Sequence, residues 1–446
     1  MERTATPLTT TNDEKLPWHL TQPAPRFALT RRMGAIGAVA ARRVAIDVWL
    51  PRTRRTMLHR TAEQLGPSWV KLGQLVAASP GTFPPRLATI LQGLHDGVAP
   101  QPLEVVRRTL AEDLGDQASR LELDPTPVAA GSVAQVYRAT LDGSRPVAVK
   151  VQRSGILDGL AADLRLLRNA AGMAIKVRPR LEALRLVAAI DDLGIGLERE
   201  LDFRKEAEAM GALAPVLATW DIKVPVPDLD LCTSRVVVME FVEAVAVRDH
   251  DELVALGAKP EQVLHAVLGG LLESAFVHGC FHADGHGGNI LVGPDGQVVM
   301  VDFGIVGFVE MIDQQGCAEI LLAVFTNDFT RFGTGLLMLQ AHGLVGPGAG
   351  EAMAEVAARH LATGDFSQIR IGTLLKEALE TASQHGFPLP SQLVLLFKQI
   401  LYFDGLARVL APNFDLFEDA KAFVPMLEAV TQGDIEAAAR LAHPAQ

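Results

Sequence analysis

The sequence predicts an α+β protein in which a few strands lie between two helical regions. Three observations support this class: helical patterns fill residues 30–120, alternating apolar residues begin after Pro127, and helical patterns return beyond Asp251. The chain has 446 residues, of which 49% are hydrophobic and 21% charged. This length and composition predict a folded protein with two or three domains.

Four parts are predicted in chain order. Residues 1–25 are rich in Thr and Pro and are expected to form a flexible N-terminus. Residues 26–123 are expected to form a helical extension that begins with a basic arm. Residues 124–245 should contain a small sheet with a helical insertion, and residues 246–446 should be mainly helical with one β-hairpin.

The predicted strands are short apolar runs with turn-forming residues at each end. Val128–Ala139 is typical of a strand, a glycine-containing turn and a second strand, and Pro146–Gln152 of a further strand. Ser234–Val242 is short and apolar enough for a buried strand. Helix is predicted from Leu157 to about Met210, with a basic interruption near residues 176–180.

Charge is concentrated in the basic arm. Residues 26–60 contain nine arginines and one acid and carry +8, whereas the whole chain carries −11, which leaves −19 for the remainder. Residues 33–50 are typical of a helix. Either it is a docking helix with solvated arginines, or residues 26–60 lie on anionic membrane, contact another polyanion or pair with the acidic remainder of the chain. The sequence pI of about 5.6 and the lack of a nucleic-acid motif predict no nucleic-acid partner.

The cysteines and the N-terminus predict a cytoplasmic protein. Cys232, Cys280 and Cys317 are odd in number and lack CxxC spacing, so neither a disulfide framework nor a zinc knuckle is expected. No basic-then-apolar leader is seen, and no uncharged apolar run approaches the ~20 residues that span a bilayer. Any membrane contact is therefore expected to be peripheral.

The segment Phe281–Gly304 concentrates histidines, acids and glycines, and two kinds of site compete for it. His278, His282 and His286 fall at i, i+4 and i+8, a spacing that would align three imidazoles as a metal site on a continuous helix. Three glycines lie between Asp284 and Asn289. Each glycine costs roughly 1 kcal/mol inside a helix, so a loop followed by a hairpin is favoured.

In the loop-and-hairpin interpretation, a turn at Gly293–Gly296 brings Asp302 near Asn289. Amide and carboxylate oxygens suit Mg²⁺, which usually completes its shell with water and nucleotide phosphate. The five residues from Asp284 to Asn289 and the thirteen more to Asp302 match the catalytic loop and the DFG segment of protein kinases. Asn289 and Asp302 are therefore candidate metal ligands, and Asp284 is the candidate base or water-orienting acid.

A kinase-like metal site requires a phosphate-covering loop and a lysine earlier in the chain. Residues 129–136 occupy the place of a G-x-G-x-x-G-x-V loop, and Pro146–Lys150 matches the strand whose lysine contacts nucleotide phosphates. Three acids could hold this lysine, namely Glu200, Asp202 and Glu206, and periodicity alone does not choose among them. The candidate ATP-binding residues are Ala129, Ala130, Gly131, Ser132, Val136, Lys150 and Glu240.

Together these motifs resemble the UbiB/AarF family of atypical kinase-like proteins, which includes coenzyme Q biosynthesis factors. Lys71-Leu-Gly-Gln74 is similar to its KxGQ motif and Glu200-Leu-Asp202 to its ExD motif. The resemblance covers about residues 61–412. It implies a bilobal protein kinase-like fold with a helical N-terminal KxGQ extension, and binding of ATP and Mg²⁺.

The resemblance also implies roles for individual residues. Lys150 would contact the phosphates and Glu206 would orient it, which together with Asp284 makes the catalytic set. The motif residues Lys71, Gln74, Glu200 and Asp202 would form a lid over the site. The implied activity is that of an atypical kinase or ATPase linked to isoprenoid or quinone lipids, with an isoprenoid or phenolic lipid-related small molecule as a partner.

The chain departs from the family pattern at two loops. It has Asp284-Gly-His-Gly-Gly-Asn289 where the family usually has Asp-Pro-His-Pro-Gly-Asn, and Gly131 where alanine is common. Two alternative functions stay open. One is an aminoglycoside- or choline-type small-molecule phosphotransferase, a group that lacks KxGQ with ExD, and the other is a nucleotide-sensing scaffold without significant turnover.

Overall fold

The computed structural model describes residues 65–78, 98–178, 186–247, 250–326, 328–339 and 391–443, together with Gly34 and single positions between 352 and 381. The predicted flexible N-terminus and nearly all of the basic arm therefore lie outside the described residues. The chain divides into two compact units. The first comprises residues 1–207 and 227–241, and the second comprises residues 208–226 and 242–446.

Both helices and strands are present in the described chain, which confirms the α+β prediction. The strands are β1 (Leu121–Leu123), β2 (Ala129–Ala130), β3 (Ala134–Leu141), β4 (Arg145–Gln152), β5 (Ile222–Lys223), β6 (Val236–Glu240), β7 (Val245–Ala246), β8 (Cys280–His282), β9 (Ile290–Val292), β10 (Val298–Met300) and β11 (Val306–Phe308).

The α-helices of the described residues are α1 (Pro67–Ala78), α2 (Leu103–Leu114), α3 (Ile156–Val177), α4 (Leu186–Glu200), α5 (Phe203–Ala218), α6 (His250–Ala255), α7 (Pro260–Phe276), α8 (Met311–Thr326), α9 (Phe329–Leu339), α10 (Ser391–Leu410), α11 (Leu416–Lys421), α12 (Val424–Thr431) and α13 (Ile435–Leu441). No helix among the described residues is both long enough and apolar enough to cross a membrane.

A five-stranded antiparallel sheet forms the first unit's core. Its order is β1-β3-β4-β6, and β2 pairs with β3. Alternate residues of β3, among them Tyr137, Ala139 and Leu141, are buried and share a hydrophobic cluster with Val106 and Leu110 of α2. The two-residue period of β3 therefore presents one apolar face to α2.

The sheet also takes in residues that the sequence assigned to the helical extension. A 3₁₀ turn ends α2, and the chain then enters β1, whose Leu121 pairs with Leu141 of β3. Residues 103–123 thus pack with the sheet, because the apolar positions of α2 and β1 are buried in the same cluster.

Helices α1, α3 and α4 form a second hydrophobic cluster in the first unit. Leu72 of α1 packs there with Leu160, Leu164 and Leu197. The helical segment predicted from Leu157 to Met210 comprises α3, α4 and α5 in the described residues, and α3 ends at Val177, within the predicted basic interruption near residues 176–180. Its second interruption follows Glu200, within the Glu-Leu-Asp motif.

The second unit contains two small sheets and most of the described helices. One sheet has the order β5-β10-β9-β7, and its β9–β10 hairpin turns at Gly293–Gly296 as the sequence predicted. The other pairs β8 with β11, a strand that the sequence did not predict. A Cβ at Gly307 would lie 2.2 Å from the Phe281 ring, so this pairing depends on a close approach that only glycine permits.

Candidate functional site

Strand β4 of the first unit places Lys150 against Glu206 of α5. The Lys150 ammonium donates to both Glu206 carboxylate oxygens, at 2.7 and 2.8 Å, and lies 5.2 Å from the Phe203 ring centroid. Lys150 is 8% exposed and Glu206 3% exposed. Of the three acids that periodicity left open, Glu206 is the one in this ion pair, because it faces the sheet from the first turn of α5.

The predicted nucleotide loop is a tight turn between β2 and β3. Ala129 and Ala130 lie in β2, and the Gly131 amide donates to the Ala134 carbonyl at 2.9 Å. Ser132 is buried, and Val136 lies opposite Lys150 in the β3–β4 register.

Glu240, also predicted to bind ATP, occupies the last position of β6. Its Cα partner across the sheet is Val147 of β4, three residues before Lys150. Register therefore places Glu240 on the strand next to the lysine strand.

Arg153 anchors the predicted nucleotide-binding loop, a contact that the sequence did not predict. Its buried guanidinium donates to the carbonyls of Gly131 at 2.7 Å, Ala99 at 3.0 Å and Val98 at 3.1 Å. Burial lowers the pKa of Arg153 from its usual value, although an arginine stays protonated at physiological pH. An arginine directly after the Val-Ala-Val-Lys-Val-Gln strand was the available signal.

The KxGQ helix α1 is held at two points within the first unit. Lys71 forms an ion pair with Glu200, and the Ser68 hydroxyl donates to the fully buried Asp163 at 2.6 Å. Gln74 belongs to α1, but its side chain lies outside the described residues.

The other acid of the ExD motif has a local partner. Asp202 accepts from the Arg204 guanidinium, with both bonds at 2.9 Å, and this hydrogen bonding lowers the pKa of Asp202. Of the four predicted lid residues, the structure therefore brings Lys71 and Glu200 together and pairs Asp202 with its neighbour.

In the second unit, His282 orders the predicted catalytic loop. Its Nε2 donates to the Val301 carbonyl at 3.1 Å, and its Nδ1 accepts from the Asp284 amide at 3.1 Å. Burial lowers the pKa of His282, which favours the neutral ring that this pair of bonds requires. His282 thus connects the loop to the residue before Asp302.

Asn289 and Asp302 are brought together by the backbone. The Asn289 amide group donates to the Asp284 carbonyl at 2.8 Å, and the Val301 amide donates to the Asn289 carbonyl at 3.0 Å. Asp302 is exposed and has φ of 61°, a left-handed conformation that aspartate tolerates better than most residues. Such backbone strain is concentrated at functional sites.

The three histidines of the metal hypothesis face different partners. His278 lies 3.5 Å from Glu273, His282 bonds within the loop as above, and His286 Nδ1 accepts from the Gly288 amide at 3.0 Å. Within the part of the chain that the structure describes, no three His, Cys, Asp or Glu side chains converge as a metal-binding group.

Helix α10 contributes two further side chains that the sequence did not predict. Lys398 lies 3.3 Å from an Asp284 carboxylate oxygen, and Gln399 bonds the backbone on both sides of Asp284. Their signal was a polar pair inside the apolar run 393–401, more than a hundred residues beyond the loop.

Comparisons with known proteins agree with these motifs. A model of the ABC1 atypical kinase-like domain matches residues 93–334, and a model of the UbiB helical domain matches residues 355–415. The chain is 34% identical over 378 residues to the uncharacterized protein Rv0647c of Mycobacterium tuberculosis, covering 81% of this chain and 76% of that protein.

Two further similarities concern a named relative and a solved structure. The chain is 31% identical over 388 residues to a probable protein kinase UbiB of Aliivibrio fischeri, covering 84% of this chain and 70% of that one. A chain in the structure of the Rv3197–erythromycin complex from Mycobacterium tuberculosis matches at a TM-score of 0.48 and 24% identity, covering 71% of this chain and 84% of that chain.

Proposed function

Because the chain belongs to the ABC1/UbiB family of atypical kinase-like proteins, we propose that it is an Mg²⁺-dependent, ATP-binding atypical kinase or ATPase. We further propose that it acts in, or regulates, isoprenoid or quinone lipid metabolism. The observation that carries the proposal is the buried Lys150–Glu206 ion pair on the strand and helix where a kinase-like domain requires it.

A buried ion pair is poor evidence of stabilisation, which is why this one supports a function. Desolvating two charges costs several kcal/mol each, and packed apolar residues often serve stability as well or better. Lys150 and Glu206 are nearly buried and bonded through both carboxylate oxygens. A lysine oriented in this way suits a polyphosphate ligand, whose charge it can neutralise.

The remaining roles are assigned by chemistry. The loop Ala129–Ser132, with Val136 and Glu240, would bind the nucleotide next to Lys150. Asn289 and Asp302 supply the oxygen ligands that Mg²⁺ prefers, and two protein ligands suffice for an ion that shares its shell with water and phosphate. Asp284 would accept a proton from the attacking group or orient a water.

The lid and the lipid connection belong to the same proposal. Lys71, Gln74, Glu200 and Asp202 would form the lid, and the Lys71–Glu200 ion pair supports it by fixing α1 to the end of α4. An isoprenoid or phenolic lipid-related compound is the proposed partner. A cytoplasmic location with peripheral contact of residues 26–60 to anionic membrane completes the proposal.

Mg²⁺-ATP binding tests the proposal first. ATP with Mg²⁺ should raise the melting temperature of the purified chain, and Asp302→Asn should remove the Mg²⁺-dependent part of the rise. Glu436→Gln is a matched control, because its side chain is 91% exposed on α13. No thermal shift in the wild type, or an unchanged shift in Asp302→Asn, would contradict the nucleotide site.

Assays of ATP hydrolysis test the proposed activity and its connection to lipids. ATP hydrolysis should rise with anionic liposomes and with phenolic or prenyl compounds, without phosphoprotein, and Lys71→Ala should change that response. Rapid phosphorylation of a soluble aminoglycoside or choline would instead support the small-molecule phosphotransferase. Deletion of residues 26–60 should abolish liposome flotation, and retained flotation would refute the membrane role of the arm.

A further inference from the structure

Two polar residues of α10 face the proposed catalytic loop, one of them buried and the other partly buried. Lys398 and Gln399 follow five apolar residues, Leu393–Phe397, and precede Ile400 and Leu401. Gln399 is 3% exposed, and the side chain of Lys398 is 15% exposed. Burying a polar side chain costs free energy unless it is hydrogen-bonded, so their partners indicate their purpose.

Gln399 makes hydrogen bonds with the two peptide groups that flank Asp284. Its Nε2 donates to the Ala283 carbonyl at 2.5 Å, and its Oε1 accepts from the Gly285 amide at 2.6 Å. One planar side-chain amide thus fixes the backbone on either side of the proposed base. Neither a carboxylate nor a thioether could make both bonds, since the pair needs one donor and one acceptor.

Lys398 restrains the Asp284 carboxylate itself. Its ammonium lies 3.3 Å from Oδ1, while His286 Nε2 lies 3.9 Å from Oδ2. The same ammonium lies 5.0 Å from the Tyr402 ring centroid, one turn further along α10. The aromatic ring and the carboxylate together fix the position of the lysine, which in turn limits the rotation of Asp284.

We propose that Lys398 and Gln399 are positioning residues that hold Asp284 for reaction. The inference rests on the proposed role of Asp284. Helix α10 adds to the hydrogen bonds that His282 and Asn289 make with the proposed catalytic loop, whose three glycines supply little local stiffness. Lys398 would fix the carboxylate, and Gln399 would fix the backbone that carries it.

Gly285 fits this arrangement for two reasons. It has a backbone N–H, which donates a hydrogen bond to Gln399 Oε1, whereas a proline at this position would have no N–H to donate. A Cβ on residue 285 would also lie 3.2 Å from Gln399 Oε1, which is closer than most Cβ contacts. The Gln399 hydrogen bond therefore requires a residue at position 285 that has an N–H, and it is best accommodated by one without a Cβ.

Kinetics on the full chain test Lys398. Lys398→Met keeps the aliphatic stem but removes the charge, so kcat for ATP hydrolysis should fall about 10- to 100-fold while KM for ATP changes less than about twofold. Lys398→Arg should recover much of kcat. Arg408→Met on the same helix, which removes only an exposed pair with Asp404, should leave kcat unchanged.

Hydrogen exchange tests Gln399 without any turnover. In Gln399→Met, the Gly285 amide should exchange about fivefold faster or more, as expected for the loss of one hydrogen bond. Gln399→Glu keeps an oxygen that can accept from the Gly285 amide and loses only the donor to the Ala283 carbonyl, so Gly285 should exchange more slowly there than in Gln399→Met. Gln392→Met is the control, because Gln392 of α10 accepts from the Phe308 amide in β11. It should leave Gly285 protection unchanged.

The outcomes separate this inference from the proposed function. Wild-type kcat in Lys398→Met, an arginine variant no better than the methionine variant, or unchanged Gly285 exchange in Gln399→Met would overturn the positioning role. A wild type that neither binds nor hydrolyses Mg²⁺-ATP would refute the proposed function instead. In that event faster Gly285 exchange would still establish the Gln399 contact.

Discussion

Removing one partner of the Lys150–Glu206 pair should destabilise the first unit more than removing both. The two side chains are 8% and 3% exposed, and the ammonium bonds both carboxylate oxygens. Lys150→Met leaves Glu206 as a buried charge without its bidentate partner, and Glu206→Leu does the same to Lys150. The double variant leaves neither charge.

The expected loss of stability follows from the burial of the pair. Breaking a buried pair costs about 3–5 kcal/mol, and we take about 3 kcal/mol because Lys150 keeps some solvent contact. For a unit of roughly 200 residues, each kcal/mol lowers the melting temperature by about 2–4 °C. Each single variant should therefore melt about 6–12 °C lower, and the double variant should recover at least half of this loss.

Scanning fluorimetry and urea unfolding of the two single variants and the double variant measure the effect. Arg120→Met is a matched control, because it breaks an exposed Arg120–Asp142 pair in the same unit and should hardly change the melting temperature. The Mg²⁺-ATP shift should disappear in every variant that lacks Lys150. The buried-pair argument would be refuted if both single variants melted close to the wild type. It would also be refuted if the fall in melting temperature of the double variant equalled the sum of the two single falls.

Three further predictions concern the second unit. At a concentration a hundredfold above its Kd, a ligand raises the free energy of unfolding by about 2.7 kcal/mol. In a thermal titration, Asp302→Asn should therefore lose the Mg²⁺-dependent part of the increase that ATP produces. Asp419 raises the pKa of His265 by a hydrogen bond and by its charge, so this pair stabilises fully below the ordinary histidine pKa of about 6.5. Asp419→Asn should therefore lower the melting temperature most at pH 6, with a smaller effect as pH rises through the pKa of the folded state; a pH-independent loss would contradict this. Gly307→Ala would place a Cβ 2.2 Å from the Phe281 ring and should lower stability by about 1–3 kcal/mol in urea, whereas a wild-type midpoint would show that the ring can shift.

The sequence was informative where the chemistry requires a short spacing. The β9–β10 hairpin, the β3–β4 strands and the α+β class follow from apolar periodicity and turn residues within a few positions. Asp284 and Asn289 could be paired because five residues separate them, and the structure joins them through the Asn289 side chain. The sequence spacing could not choose Glu206 from three nearby acids, because the break after Glu200 sets the direction that α5 faces.

Contacts between distant segments escaped sequence reasoning for a physical reason. Arg153 bonds the carbonyls of Val98, Ala99 and Gly131, and a backbone carbonyl carries no residue-specific signal in the sequence. Gln399 likewise bonds only backbone groups of the loop. Strand β11 was missed because its three residues are too few to show a period, and tertiary pairing with β8 decides their conformation.

The glycines of the predicted catalytic loop show how tertiary contacts can supply the rigidity that the local sequence lacks. A proline ring restrains a loop in both the folded and the unfolded chain, whereas a glycine leaves many conformations open until tertiary contacts select one. At Gly285 that contact is the amide of Gln399, and α10 continues from it to Lys398 beside Asp284. Local opening of α10 would therefore release both the backbone and the carboxylate of Asp284, so we expect ordering of the predicted catalytic loop and docking of this helix to be cooperative.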